Sequence, residues 1–407
     1  MEEVILDQII NYWMKMNKEY DYVIIGAGIA GCSTAYFLSK YSKSILLIDK
    51  NSDVAFGASG AAGAFLSPLL GKPNKFKDLI SKSLVFSTQF YKSLGADFIS
   101  NCGVNRIPKN QEDREKFESY KPYIDFDYEV MDDGYFFEIG SQVNPSLICE
   151  FLTKDIEKKL SFNVVNIEQN SDNSWQINKQ IKAKNLILTT GADTKHIKEG
   201  YFDIRAVWGQ KIDISTSTQT FINYHKECSV SKAFKIQNSD LYKVSLGATH
   251  HKFDCDKNIC NYCIESANIN ECSKCCNDTI INKDSQKLIE LANDIIKLDD
   301  VKVIDVKIGA RASSNDYFPM LGKLVDSKKS IEKFPHLLNG THIKDSMLET
   351  IENLFVINGV GGRGFVLSPY LANQLVEHIV NQNEIEEEIK THRLFKRWAK
   401  KQKNKKK

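Results

Sequence analysis

Three glycines, an aspartate and a short apolar run set the first chemistry that this chain offers. Residues 22–31 read as a buried strand, Tyr22 to Ile25, that turns at Gly26, Ala27 and Gly28 and enters a helix at Gly31. The GxGxxG spacing suits a dinucleotide. Gly26 permits the tight turn, Gly28 lets the backbone approach a pyrophosphate, and Gly31 lets helix and strand pack closely. The helix N-terminus then presents unpaired N–H groups and the positive end of its dipole to the phosphates. A second apolar strand at 44–49 ends in Asp49, placed to accept both ribose hydroxyls, and Lys50 follows it.

Six of the ten cysteines fall between Cys255 and Cys276. Cys260 with Cys263, and Cys272 with Cys275, form two CxxC pairs, and four thiolates are the closed tetrahedral set of structural zinc. An iron–sulfur cluster or free cytosolic thiols are the other readings open to six sulfurs. The neighbouring His250 and His251 read as surface or site-lining residues rather than ligands.

These groups need a scaffold, and 407 residues at 42% hydrophobic content can bury a core of two or three domains. No apolar run is long enough to span a bilayer, and the N-terminus opens with acids, so a cytoplasmic protein is expected. Helical spacing from Val4 to Met14 predicts an N-terminal helix within residues 1–20. After the second strand, the loop Gly57-Ala58-Ser59-Gly60 continues as small residues to Ala64 and leaves room for a large flat ligand. A helix is expected at 76–94 and strands at 102–107, 163–167, 175–177, 183–192, 205–214, 229–236 and 240–249, with a helix near 285–298. Thr190 and Gly191 close one strand where a cofactor would lie. A strand at 353–358 leads through Gly359, Gly361, Gly362, Arg363 and Gly364 to Phe365 and a further helix, a second dipole-donating N-terminus.

Net charge is only +2, yet the basic residues are uneven. Lys396, Arg397, Lys400, Lys401, Lys403, Lys405, Lys406 and Lys407 surround Trp398, a pattern that attracts phosphates and offers one aromatic for a base to stack on. A solvated, frayed terminus is the alternative.

With those pieces in place the chain resembles the FAD-dependent D-amino-acid-oxidase and glycine-oxidase superfamily over residues 20–385. More narrowly it is similar to the oxidoreductase half of the bifunctional enzymes that complete 5-methylaminomethyl-2-thiouridine at the tRNA wobble position. The stretches that carry this are Gly57-Ala58-Ser59-Gly60 with Pro68-Leu69-Leu70, Cys102-Gly103-Val104, Trp208-Gly209-Gln210, Gly309-Ala310-Arg311, Phe318 to Gly322, Gly361 to Gly364, and His392 to Arg397.

The resemblance implies an α/β architecture, a Rossmann-like FAD-binding domain interleaved with an α+β, mainly antiparallel-sheet substrate domain. The first would comprise residues 21–70, 140–200 and 310–385. The second would comprise 71–139 and 201–309 with the insertion 255–276, and 386–407 would be the basic tail. It also implies FAD as cofactor, held by Gly26, Ala27, Gly28, Gly31, Asp49, Lys50, Gly57, Ala58, Ser59, Thr190, Gly191, Gly361, Gly362, Gly364 and Phe365, while the structural zinc rests on the CxxC spacing alone. Arg311 matches the position that grips a substrate carboxylate through its planar fork, and Arg363 would contact flavin or substrate. The implied reaction oxidises the secondary amine of 5-carboxymethylaminomethyluridine, releases glyoxylate and leaves 5-aminomethyluridine. tRNA would be the partner, through the tail and the substrate domain.

Two departures stand against that pattern. Ala61-Ala62-Gly63 replace polar residues after the Gly57–Gly60 loop, and about twenty residues before the first strand are too few for a methyltransferase domain, so a separate methyltransferase would act downstream. A small-molecule amino-acid oxidase and a non-catalytic RNA-binding flavoprotein are the competing readings.

Overall fold

The computed structural model describes residues 18–250, 278–341 and 343–402. Most of the expected N-terminal helix, the cysteine insertion 255–276 with its candidate zinc ligands Cys260, Cys263, Cys272 and Cys275, and tail residues 403–407 lie outside the described residues. Glu19 and Tyr20, assigned to that helix by their place in 1–20, instead begin the strand Glu19–Ile25 and pair with Lys182 and Ala183.

That strand lies inside an eight-stranded sheet. Ile45–Ile48 and Ile181–Leu188 flank it in parallel, and Thr350–Asn358 runs parallel to the second of these at Leu186–Leu188. Parallel strands must be covered on both faces, which is why their residues form continuous apolar runs. Val23, Ile24, Leu47, Ile48, Leu186, Ile187 and Leu188 are all fully buried. One face is covered by the helices Ile29–Leu38, Lys75–Leu94 and Gly364–Asn381. Lys75–Leu94 is tied to the start of Gly364–Asn381, because Ser87 Oγ and Tyr91 Oη donate to the carbonyls of Val366 and Phe365 at 2.7 and 3.0 Å.

The opposite face carries Tyr201, Phe202 and the helix His392–Gln402. Here the structure corrects the frayed-tail alternative for residues 392–402. Leu394, Phe395 and Ala399 are buried, Arg393 donates to both Asp316 carboxylate oxygens at 3.1 Å, and Lys396 pairs with Asp345. Trp398 packs on Phe395, ring centroids 6.2 Å apart, and against Gly200, so its indole is core packing rather than a platform for a base.

The second sheet has nine strands among the described residues. Its spine is a pair of thirteen-residue antiparallel strands, Ile204–Thr216 and Lys302–Ser314. It is antiparallel except where Val104–Arg106 runs parallel to Asn223–His225. Two expected strands shrink because acceptors outside the sheet ladder take their amides. Asn178 Oδ1 accepts from Val165 and Asn166, so only Ile167–Gln169 forms a strand there. Asn223 Oδ1 and the Thr220 carbonyl accept from Lys232 and Ala233, which splits 229–236 into Ser229–Val230 and Phe234–Lys235. The helix expected near 285–298 begins earlier and runs Asp278–Asn293.

Candidate active site

A cavity of about 670 Å³ opens between the two sheets. At one end stands the glycine turn, whose residues leave no room for side chains. A Cβ on Gly31 would lie 1.8 Å from the Gly26 carbonyl oxygen, and one on Gly26, held at φ +111°, would lie 2.5 Å from the Thr189 carbonyl oxygen. The helix Ile29–Leu38 starts at Gly28 without a side-chain cap of its own, and Ser59 Oγ, from the small-residue loop, accepts the Ile29 N–H at 2.9 Å. That loop is pressed on the second sheet, since a Cβ on Gly309 would fall 2.7 Å from Ala58 Cα.

Asp49 lines the cavity and also accepts hydrogen bonds from its own chain. Its Oδ2 accepts the Ala27 N–H at 2.6 Å, while Oδ1 accepts the backbone N–H and Nδ2 of Asn51, both at 2.8 Å. A carboxylate offers roughly four lone-pair sites, so about one remains for a ribose hydroxyl rather than two. Lys50, beside it, lies 3.4 Å from Asp193. Thr190, Gly191, Gly57, Gly361, Gly362, Gly364 and Phe365 all line the cavity, as do Ala58 and Ser59. Ala27 is buried behind the turn.

Two polar atoms of this cavity, Thr190 Oγ1 and Trp208 Nε1, are buried with no hydrogen-bond partner among the described residues. With a cradle that side chains would fill and the N-termini of two helices, those of Ile29–Leu38 and Gly364–Asn381, such orphaned groups fit a bound dinucleotide.

The other end is built from charge. Arg311 lies on the long strand Lys302–Ser314, and its guanidinium covers Gly209, where a Cβ would stand 2.3 Å from Nη1. Its Nη1 donates to the Thr249 carbonyl at 3.1 Å, and burial pulls its pKa below the usual guanidinium range. Arg363 donates from Nη1 to the Ser67 carbonyl at 3.1 Å, and burial pushes its pKa down to about 10. The sequence reading missed two more residues. Arg106 donates from Nη1 to Ser67 Oγ and the Pro68 carbonyl at 3.0 and 2.9 Å, and burial followed by the charge of Arg363 pushes its pKa down to about 9. His225 shares 2.7 Å with Ser229 Oγ through Nδ1, and burial followed by Arg106 and Arg363 keeps it neutral, well below the usual histidine range. No carboxylate pairs with Arg106, Arg311 or Arg363 among the described residues. Arg106 sat inside an expected strand, and only the pairing of Val104–Arg106 with Asn223–His225 brings it beside His225.

Among the described residues, no group of three or more His, Cys, Asp or Glu converges as a metal site would require. Their cysteines, Cys32, Cys102, Cys149 and Cys228, are free thiols, and no helix is long and apolar enough to cross a membrane.

Comparisons with known proteins agree with this geometry. The chain is 22% identical over 379 residues to the tRNA 5-methylaminomethyl-2-thiouridine biosynthesis bifunctional protein MnmC of Campylobacter fetus, covering 90% of this chain and 57% of that protein. The protein of the same name from Campylobacter jejuni (serotype O:6) is 27% identical over 383 residues, covering 90% and 56%. The chain thus spans somewhat more than half the length of these curated relatives. Among solved structures, glycine oxidase from Bacillus cereus superposes with a TM-score of 0.66 at 16% identity, covering 90% of this chain and 96% of that one. Iminodiacetate oxidase from Chelativorans gives 0.64 at 15%, covering 91% and 98%. These likenesses establish the fold, an FAD-binding sheet joined to a largely antiparallel one. The FAD dependent oxidoreductase (DAO) profile matches residues 21–378, which is most of the chain, and the protein therefore belongs to that family.

Proposed function

We propose that this chain oxidatively removes the carboxymethyl group from 5-carboxymethylaminomethyl(-2-thio)uridine at the tRNA wobble position, giving 5-aminomethyl(-2-thio)uridine and glyoxylate. The observation that carries the reading is a cavity whose far end holds arginines without carboxylate partners among the described residues, in a chain similar over about 90% of its length to proteins named for that tRNA modification.

Bound FAD supplies a hydride acceptor, held by the glycine turn, Thr190 and the N-termini of the two helices. Arg311 holds the substrate carboxylate with its free guanidinium edge, Thr249 fixing the other. The surrounding positive charge lowers the pKa of the substrate amine, so the amine enters neutral with its lone pair available. The carbon between amine and carboxylate would give its hydride to that acceptor, and its C–N bond would become an imine. Water then adds to the imine carbon, and the C–N bond breaks to release glyoxylate and the primary amine. Arg397, Lys400 and Lys401, exposed on the C-terminal helix, would meet the RNA backbone.

The test mixes the FAD-loaded protein, without oxygen, with tRNA from cells unable to finish the wobble modification, and follows flavin absorbance and nucleoside mass. Bleaching with conversion to 5-aminomethyluridine is expected. A small-amine oxidase is the second reading, favoured by the fit of recessed arginines to any amino-acid carboxylate. Bleaching by glycine or sarcosine, with that tRNA left unchanged, would replace the first reading by the second.

A further inference from the structure

Arg106 and Arg363 approach the cavity from different strands and connections yet hang from the same dipeptide. Ser67 Oγ and the Pro68 carbonyl accept from Arg106 Nη1, and the Ser67 carbonyl accepts from Arg363 Nη1. Each guanidinium thus spends one nitrogen on the chain and keeps its others. Arg106 Nε is buried with no partner among the described residues, and the two charges repel one another closely enough for Arg363 to depress the Arg106 pKa. His225 stands opposite Arg106 in the strand register and lines the same cavity, with Nδ1 engaged by Ser229.

A structural arginine pair is ordinarily held by acids, because burying like charges without a counterion is costly. Here carbonyl and hydroxyl oxygens orient both guanidinium groups, no carboxylate of the described residues forms an ion pair with either, and Asp113 acts on Arg106 only from beyond ion-pair distance. Arg311 does not share this anchor. Its own hydrogen bond runs to Thr249, and its guanidinium lies over Gly209 on the second sheet. A substrate with one carboxylate satisfies Arg311 and leaves the other two unanswered.

We infer that Arg106 and Arg363, with His225 beside them, form a second oxyanion subsite, and that the amines oxidised by this chain carry a second anionic group there, a phosphate or a second carboxylate. The inference rests on the reading of the chain as an amine oxidase but not on the identity of the RNA. Planar guanidinium edges bind either oxyanion bidentately.

The experiment titrates the FAD-loaded full chain, without oxygen, with sarcosine and with iminodiacetate, a secondary amine bearing a second carboxylate, and reads dissociation constants from the flavin spectrum. Iminodiacetate is expected to bind at least about tenfold more tightly, and Arg106→Gln to bring the ratio of the two constants towards unity. Inorganic phosphate separates the sources. Competition against iminodiacetate but not against sarcosine assigns the subsite to a phosphate of a nucleotide substrate, whereas a preference that stands without such competition assigns it to a carboxylate. Equal affinity for the two amines, phosphate competing equally with both, or a preference that survives Arg106→Gln overturns the inference. Should that variant fail to retain FAD, Arg106→Lys takes its place and is expected to keep only part of the preference. No arm uses tRNA, so an incorrect wobble-uridine assignment and an absent subsite give different results.

Discussion

The two ends of the cavity bind by opposite means. At the glycine turn the chain satisfies its own polar groups: Asp49 braces Ala27 and Asn51, and Ser59 caps Ile29. What that end offers a ligand is shape, two helix dipoles and the orphaned Thr190 hydroxyl. At the other end Arg106, Arg311 and Arg363 each retain hydrogen-bonding capacity, and no acid of the described residues forms an ion pair with them. A steric cradle tolerates almost no substitution, while a charged pocket loses affinity and specificity by degrees.

The sharpest test of that contrast is Gly31→Ala. Its Cβ would meet the Gly26 carbonyl, so backbone must move, at a cost of about 3 kcal/mol or roughly a hundredfold in FAD retention, read from flavin absorbance after purification. Arg311→Ala is expected to keep its FAD and lose about 2 kcal/mol of transition-state stabilisation, roughly thirtyfold in kcat/KM for a carboxylate-bearing amine. Loss of flavin from this variant would show that the two ends are not independent.

A smaller effect is expected at the clamp that docks the C-terminal helix beside the cavity mouth, where Asp316 neighbours the exposed Tyr317. Burial raises the Asp316 pKa, but hydrogen bonds and charge from Arg393 outweigh it and hold the group below the usual carboxylate range. The clamp therefore contributes its full stability above about pH 4 and loses it as the pH falls through the lower folded value. Asp316→Asn should lower stability by about 1 kcal/mol at neutral pH and show a weaker acid dependence in thermal melts. Smallest is Thr190→Val, which removes a hydroxyl that bonds nothing else among the described residues. FAD should bind about fivefold more weakly, with the melting of the FAD-free protein unchanged.

The same contrast explains what could be read in advance. The glycine turn is contiguous, and each of its residues is fixed by a local backbone demand, so spacing alone located it. Arg106 and His225 become neighbours only through a parallel pairing between segments more than a hundred residues apart, and no local pattern announces that. The bracing of the Ala27 amide by Asp49 was not legible, because that contact is visible only in three dimensions. Trp398 misled for a related reason: the lysines around it describe the outer face of a helix whose inner face, with Leu394 and Phe395, belongs to the core.

The insertion of Thr350–Asn358 beside Leu186–Leu188 carries a consequence for synthesis. A chain emerging from the ribosome makes the glycine turn and Ile181–Leu188 long before Thr350–Asn358, so part of the strand next to the turn keeps an open hydrogen-bonding edge until residue 358 has been made. The second helix N-terminus at the cavity, at Gly364, comes later still. The nascent protein must therefore hold an apolar, half-edged sheet while the segments between these two strands are made, and the second helix N-terminus is added only after that edge has its partner.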